Sequence, residues 1–322
     1  MASIWVDYLE RDFLKNGFRE MVDSGLVSGI TSNPAIFSKA IVNSDSYKKS
    51  IGMLGSRSPE EIYESLAVED IRTACDILSD LYDEGEDGFA SIEVDPRLAN
   101  DHRATIDEAM RLADRIEREN LMIKIPATEA GYKAMEDLAR RGLNINATLV
   151  FSPNQAARCA EALSHLQRSR EGVISVFVSR FDRELNPLLA SAHLSKDRVG
   201  FFNAIKIYNQ IAEKRLPNVR VLFASTGVKQ PWLEADYYVE QLNLPNSVLT
   251  LPLEVLDVVR DKELQPSFEF QTKHIDAFLS YLTPLNISMQ ATYEKLMKEG
   301  LKAFEDSFTD LLESLGNAEG KE

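Results

Sequence analysis

Lys124 stands inside the run LMIKIPATEAG, with Leu121, Met122, Ile123 and Ile125 around it. A short, β-prone apolar run can carry an ammonium group in two ways. The lysine can lie on a solvent-facing edge with its stem along apolar surface, or it can be held where water is scarce. In the second case lost hydration lowers the pKa of a lysine, by about three to five units on full burial. The neutral amine is then a nucleophile toward carbonyl carbon and leads to a Schiff base. The iminium draws electrons, so a C–C bond beside the former carbonyl can break without metal or separate cofactor. That chemistry needs carboxyl groups to move protons, each typically worth about 10²–10⁴-fold, and donors that fix substrate hydroxyls.

Groups of those types recur at the ends of other β-prone runs. Asp7 ends the first. Thr31, Ser32 and Asn33 follow the second, in TSNPA. Glu93 and Asp95 close SIEVD. Asn144, Asn146 and Thr148 alternate along LNINATLVFS. Ser175, Ser179 and Arg180 lie in ISVFVSR, and Ser225, Thr226 and Lys229 in ASTGVK. Each alone has an ordinary reading. A lone carboxylate at a strand end is a helix N-cap or a surface ion pair in roughly two cases of three, given how often such residues cap, and Asn33 before Pro34 is turn chemistry. The coincidence is what matters: seven consecutive strands each deliver a polar group. Because strand side chains alternate, Asn144, Asn146 and Thr148 share one face. An i, i+2, i+4 polar row is expected to face an interior rather than a layer of helices.

The elements that position these groups are legible as eight β-rich runs: Ile4–Asp7, Val27–Thr31, Phe89–Val94, Leu121–Pro126, Leu143–Val150, Ile174–Val178, Val221–Ala224 and Ser247–Leu251. Amphipathic stretches at helical spacing separate most of them, and SPEEIYE and SPNQAARCAE open with Ser-Pro, an N-cap followed by proline at the first helical position. Strands alternating with helices imply a parallel sheet. Eight such units predict a closed (β/α)8 TIM barrel, in which catalytic groups gather at the C-terminal ends of the strands. An open doubly wound sheet is the alternative, but no G-x-G-x-x-G follows any strand. No internal repeat or linker is evident, so residues 1–322 are expected to form a single domain. A C-terminal helical segment from about 286 to 316 is expected to pack on the barrel, with the chain frayed from Asn317.

Composition narrows the partners. The net charge of −15 disfavours nucleic acid, which needs a basic stripe, and leaves room for a small anion if basic groups are focused locally. No apolar run reaches the length of a membrane span, and MASIWVDYLERD lacks the regions of a signal peptide. Only Cys75 and Cys159 occur, far apart, so no disulfide framework is expected and a cytoplasmic setting is the simplest. His102, His165, His193 and His274 stand at no expected strand end. Metal-dependent barrel hydrolases are thereby disfavoured, and no metal is expected.

The stretches GITSNPAIF, SIEVDPRLA, LMIKIPATEAG, INATLVFS, SVFVSRFD and RVLFASTGVK together resemble the transaldolase family, most closely its longer bacterial branch, over nearly the whole chain. The resemblance implies a cofactor-free transferase of the pentose phosphate pathway. It would pass a dihydroxyacetone unit from sedoheptulose 7-phosphate or fructose 6-phosphate to glyceraldehyde 3-phosphate or erythrose 4-phosphate. It implies Lys124 as the Schiff-base lysine and Asp7 as the acid/base at the C4 hydroxyl. Glu93 would act through a water that Thr148 positions. Asn33, Asn146 and Ser175 would hold donor hydroxyls, and Arg180 and Ser225 the phosphate. Family members are monomers or homodimers. The family pattern places an arginine two residues after Ser225, where this chain has Gly227. Lys229 is then expected to supply the charge, with the glycine letting backbone N–H groups approach the anion. The alternative within the resemblance is a fructose-6-phosphate aldolase, but those relatives are much shorter and tend to carry an amide at the position of Glu93.

Overall fold

The computed structural model describes residues 1–55, 57–193, 196–268 and 270–318. Eight parallel strands close into a barrel in sequence order: β1 (Ser3–Val6), β2 (Gly29–Thr31), β3 (Phe89–Glu93), β4 (Leu121–Pro126), β5 (Asn144–Val150), β6 (Gly172–Phe177), β7 (Val219–Ala224) and β8 (Ser247–Leu251). Closure runs from β8 to β1, with Ser3 opposite Val248 and Val6 opposite Leu251. The expected barrel is therefore the observed one. β4 and β8 have the expected bounds. Elsewhere the ends differ by one or two residues, and Asp7 lies just past β1.

Alternation along the strands sorts the side chains. Ile92, Ile123, Ile125, Ile145, Ala147, Ile174, Val176, Val221, Phe223, Leu249 and Leu251 join the main core with residues of the surrounding helices. Burying each of the larger ones contributes about 1.5–3 kcal/mol. The alternate residues Trp5, Phe89, Met122, Val173, Leu222 and Val248 form a separate cluster inside the barrel. Gly29 is required there: a Cβ on it would stand 2.6 Å from the Trp5 indole. Where the interior set reaches the C-terminal ends of the strands, it turns polar.

The helices begin where the sequence places caps. Ser58 and Ser152 each accept from the backbone three residues on and are answered by Glu61 and Gln155, completing two capping boxes. The last helix spans Met289–Ala318, shifted from the expected 286–316. Asn286 takes a left-handed φ of 58° and ends a short 3-10 turn, and the Ser288 hydroxyl accepts from Ala291 N to start the helix. It continues through Asn317, where fraying was expected. The rest of that expectation, residues 319–322, lies outside the described residues. This helix packs on helices Pro34–Asn43 and Pro59–Ile77 and on β5. Among the described residues no helix is long and apolar enough to cross a membrane.

At the opposite, N-terminal end the barrel is tied by Asp87. Its carboxylate takes Arg220 Nη2 at 2.8 Å, Trp5 Nε1 at 2.8 Å and the Ser28 hydroxyl at 2.9 Å, linking β1, β7 and the approaches to β2 and β3.

Candidate active site

Lys124 points into the barrel, because its neighbours Ile123 and Ile125 face the helices. It is 5% exposed. Its Nζ donates to the Ser32 carbonyl at 2.9 Å, lies 3.4 Å from Glu93 Oε2, and faces the Phe304 ring 5.8 Å from its centroid. Parallel register explains the assembly: Glu93 pairs with Lys124, and Lys124 with Asn146, so the three extend from adjacent strands at one level.

Glu93 is almost fully buried, and neither of its carboxylate oxygens has a protein hydrogen-bond partner. Burial pushes its carboxyl up to about 7; the Lys124 charge opposes this and Asp7 adds to it. The Thr148 hydroxyl, fully buried on β5, is likewise unpartnered. Buried polar groups are ordinarily satisfied, so an unpartnered hydroxyl beside a carboxylate held only by the Lys124 charge marks a place built for a polar guest. The backbone beside Thr148 is irregular. The β5–β6 register shifts between Ala147 and Val150, and Leu149 holds a left-handed φ of 56°. Such a conformation costs about 1–3 kcal/mol in a non-glycine residue and recurs where a site re-aims a side chain.

Asp7 is half-buried. Thr31 Oγ1 donates to its Oδ1 at 2.8 Å and lies 2.6 Å from the Thr250 hydroxyl. Desolvation at the mouth raises the Asp7 carboxyl above its ordinary value, the Lys124 charge and the Thr31 hydroxyl pull it back, and Glu254 pushes it up. Asn146 is fully buried, donates to the Ser91 hydroxyl at 3.1 Å and accepts from the Ser175 hydroxyl at 2.6 Å. The polar row on β5 therefore faces inward at Asn146, as its spacing predicts. Asn144, lower on the same face, spends its amide on the Glu119 and Leu121 carbonyls.

Asn33 is the N-cap of helix Pro34–Asn43, its Oδ1 accepting from Ile36 N at 3.1 Å. The ordinary capping reading holds for that oxygen, and the amide N–H2 is the part left to meet a ligand. Asp95 also caps, and its carboxylate pairs with Arg97. Ser225 follows β7 with a left-handed φ of 57°. Its hydroxyl lies 2.9 Å from that of Ser179, and its carbonyl accepts from Ser179 N, which brings it to the start of helix Ser179–Ser191, beside Arg180. Arg180 stacks on Phe177, 5.2 Å from the ring centroid. Its burial, with Arg183 nearby, draws its guanidinium below the ordinary value.

Gly227 stands where the family pattern has an arginine. Its backbone is not left-handed, and a Cβ there would meet no protein atom closer than 3.6 Å. What the missing side chain leaves is space, faced by Lys229 Nζ at 3.8 Å and Glu254 Oε1 at 4.0 Å from that Cβ position.

Several contributors went unassigned in the sequence. Ser91 was findable, two residues before Glu93 and hence on the same face. Thr250 has the same signal on β8. The roles of the Ser32 carbonyl and of Phe304 carry no local signal, since each reaches Lys124 from another part of the chain.

The transaldolase/fructose-6-phosphate aldolase family model matches residues 4–315. A transaldolase of Helicobacter pylori is 42% identical over 317 residues, 97% of this chain and 98% of its own length. One of Campylobacter jejuni is 41% identical over 332 residues, covering 97% and 99%. A buried lysine beside the Glu93 carboxyl, in a closed eight-stranded barrel, is thus accompanied by likeness along almost the entire length, and the chain belongs to the transaldolase/fructose-6-phosphate aldolase family.

Proposed function

We propose that the chain transfers a dihydroxyacetone unit between sugar phosphates through a Schiff base on Lys124. The donor is sedoheptulose 7-phosphate or fructose 6-phosphate, and the acceptor glyceraldehyde 3-phosphate or erythrose 4-phosphate. The observation that carries this reading is the Lys124 amine, enclosed in the barrel 3.4 Å from a Glu93 carboxylate with no hydrogen-bond partner.

The amine attacks the ketose C2, and the carbinolamine loses its hydroxyl as water to give the iminium. Glu93, poised near neutrality, supplies and regains the proton through a water held by the Thr148 hydroxyl; a carboxyl matched to ambient pH suits both directions. Asp7 then takes the C4 hydroxyl proton as the C3–C4 bond breaks into the iminium. Desolvation raises its basicity for that step. Asn33 and the Asn146–Ser175 pair hold the hydroxyls of the retained unit. The phosphate is bound by Arg180 and Ser225 at the start of a helix, where backbone N–H groups favour an anion, with Lys229 contributing the charge that position 227 lacks. Glu93, the chain length and the transaldolase relatives favour transfer over simple release.

The reading extends to setting and organisation. Cys75 and Cys159 are both buried and free, which suits a reducing cytoplasm. The net charge of −15 argues against nucleic acid as a partner. The C-terminal helix brings Phe304 to Lys124, which supports residues 1–322 acting as one catalytic domain. The test is borohydride reduction with fructose 6-phosphate followed by peptide mapping. A three-carbon adduct on Lys124 is expected; an unmodified chain, or an adduct on another lysine, refutes the assignment.

A further inference from the structure

The eight strands alone would leave the space above Lys124 open at the barrel mouth. The helix Met289–Ala318 lies across it. Gly300 sits close to the strand ends: a Cβ there would stand 3.1 Å from Leu149, 3.2 Å from Arg180 Nη1 and 3.4 Å from Phe151. One turn on, Phe304 faces Lys124 Nζ at 5.8 Å and lies 6.5 Å from the Phe177 ring, itself 6% exposed. A further turn on, Phe308 is clasped between the Tyr63 ring at 5.1 Å and the Arg97 guanidinium at 5.0 Å. Residues 300, 304 and 308 share one face at i, i+4 spacing, so the helix is pinned on both sides of Phe304.

We propose that Phe304 is a specificity-determining residue that sets whether the three-carbon unit on Lys124 passes to an aldehyde or is lost to water; this deepens the Schiff-base reading and rests on it. After C3–C4 cleavage the unit is an enamine, and Asp7 holds the proton from the C4 hydroxyl. In transfer, the enamine carbon bonds to the acceptor carbonyl carbon, whose oxygen takes that proton. In the competing branch the enamine carbon takes the proton instead, and water adds to C2 of the resulting iminium. The C2–N bond breaks, one water hydrogen completes the Lys124 amine, the other returns to a carboxylate, and free dihydroxyacetone leaves. Water settles where it finds two to four polar partners. Glu93 and Thr148 offer such partners for the one water the cycle uses, whereas the Phe304 ring, 5.8 Å from Lys124 Nζ, offers none. Excluding water from a reactive intermediate is a recognised use of site closure.

The test compares the full chain with Phe304→Ala and Phe304→Leu. Hydrolysis is read as multiple-turnover glyceraldehyde 3-phosphate release from fructose 6-phosphate alone. Transfer is read as sedoheptulose 7-phosphate formed with erythrose 4-phosphate. Borohydride trapping of Lys124 is measured alongside. Removing the ring opens more than the roughly 30 Å³ share of one water. The hydrolysis-to-transfer ratio is expected to rise about tenfold in Phe304→Ala, a shift of about 1.4 kcal/mol between the two barriers, and less in Phe304→Leu, with trapping retained. Should Phe304→Ala fail to fold, a smaller rise in Phe304→Leu carries the result. An unchanged ratio with trapping intact overturns the proposal, as does loss of trapping in every folded variant, which would make the ring a binding element. Absence of an adduct in the unaltered chain instead defeats the Schiff-base reading itself.

Discussion

Glu93→Gln changes the charge and proton capacity of one buried group while keeping its shape. The carboxyl lies 3.4 Å from Lys124 Nζ, is almost fully buried, and is pushed up to about 7 by that burial. At neutral pH it is therefore divided between acid and base, as repeated proton exchange with a carbinolamine requires. An amide can still accept a hydrogen bond from a water but cannot deliver or take its proton. Loss of one positioned acid/base costs about 10²–10⁴-fold, equivalent to about 3–5 kcal/mol of barrier. The cost should fall on Schiff-base formation. Rapid-quench borohydride trapping with fructose 6-phosphate should slow by that factor, kcat should fall with it, and KM should move little because Glu93 is not assigned to binding. Since dehydration of the carbinolamine uses the protonated form, the trapping rate should decline as pH rises through about 7, and the variant should lack that limb. Trapping at the unaltered rate with only KM raised, or an alkaline limb that survives in Glu93→Gln, would refute the reasoning.

Three further outcomes follow from other parts of the structure. Lys229→Ala should raise KM for phosphorylated sugars while sparing an unphosphorylated acceptor in steady-state assays; equal effects on both remove Lys229 from the phosphate site. Glu108 is half-buried, and desolvation pushes its carboxyl up to about 7, with Asp95 N donating to its Oε2. The folded chain thus binds this proton more tightly than the unfolded chain, and stability contributed by the protonated form is lost as pH rises from about 4.5 to about 7. Glu108→Gln keeps an acceptor for Asp95 N and should stabilise the chain at pH 8 by up to about 3 kcal/mol, with little effect below pH 4.5, read as urea midpoints at the two pH values. Asp87→Ala leaves Arg220 short of its main partner at the N-terminal end, and breaking a buried pair costs about 3–5 kcal/mol. A large drop in denaturation midpoint is expected, and a shift within the error of the measurement would count against this tie.

The sequence alone determined the architecture and most of the strand-borne site. Two-residue periodicity is local, so it assigns each strand's faces without knowledge of the rest of the chain. Once Ile123 and Ile125 are committed to the helices, Lys124 must point inward, and the same parity turns Glu93, Asn146, Thr148 and Ser175 toward it. Ser58 and Ser152 likewise marked helix starts through contacts spanning only three residues. The strand ends were less legible, because pairing with a neighbour, and not propensity, decides where a strand stops.

Tertiary structure decided what reaches Lys124 from a distance. The Ser32 carbonyl arrives from 92 residues away, and the Phe304 ring from the far end of the chain. Neither backbone carbonyls nor a phenylalanine on an amphipathic helix differ in sequence from countless others that only pack. The surroundings of Gly227 show the same limit: that Lys229 and Glu254 face its unfilled space is visible only in the folded chain. The perturbation of Glu93 also belongs here, because desolvation sums over everything that excludes water around a group. Local pattern fixes direction; distance, burial and charge between remote segments are set only when the barrel closes.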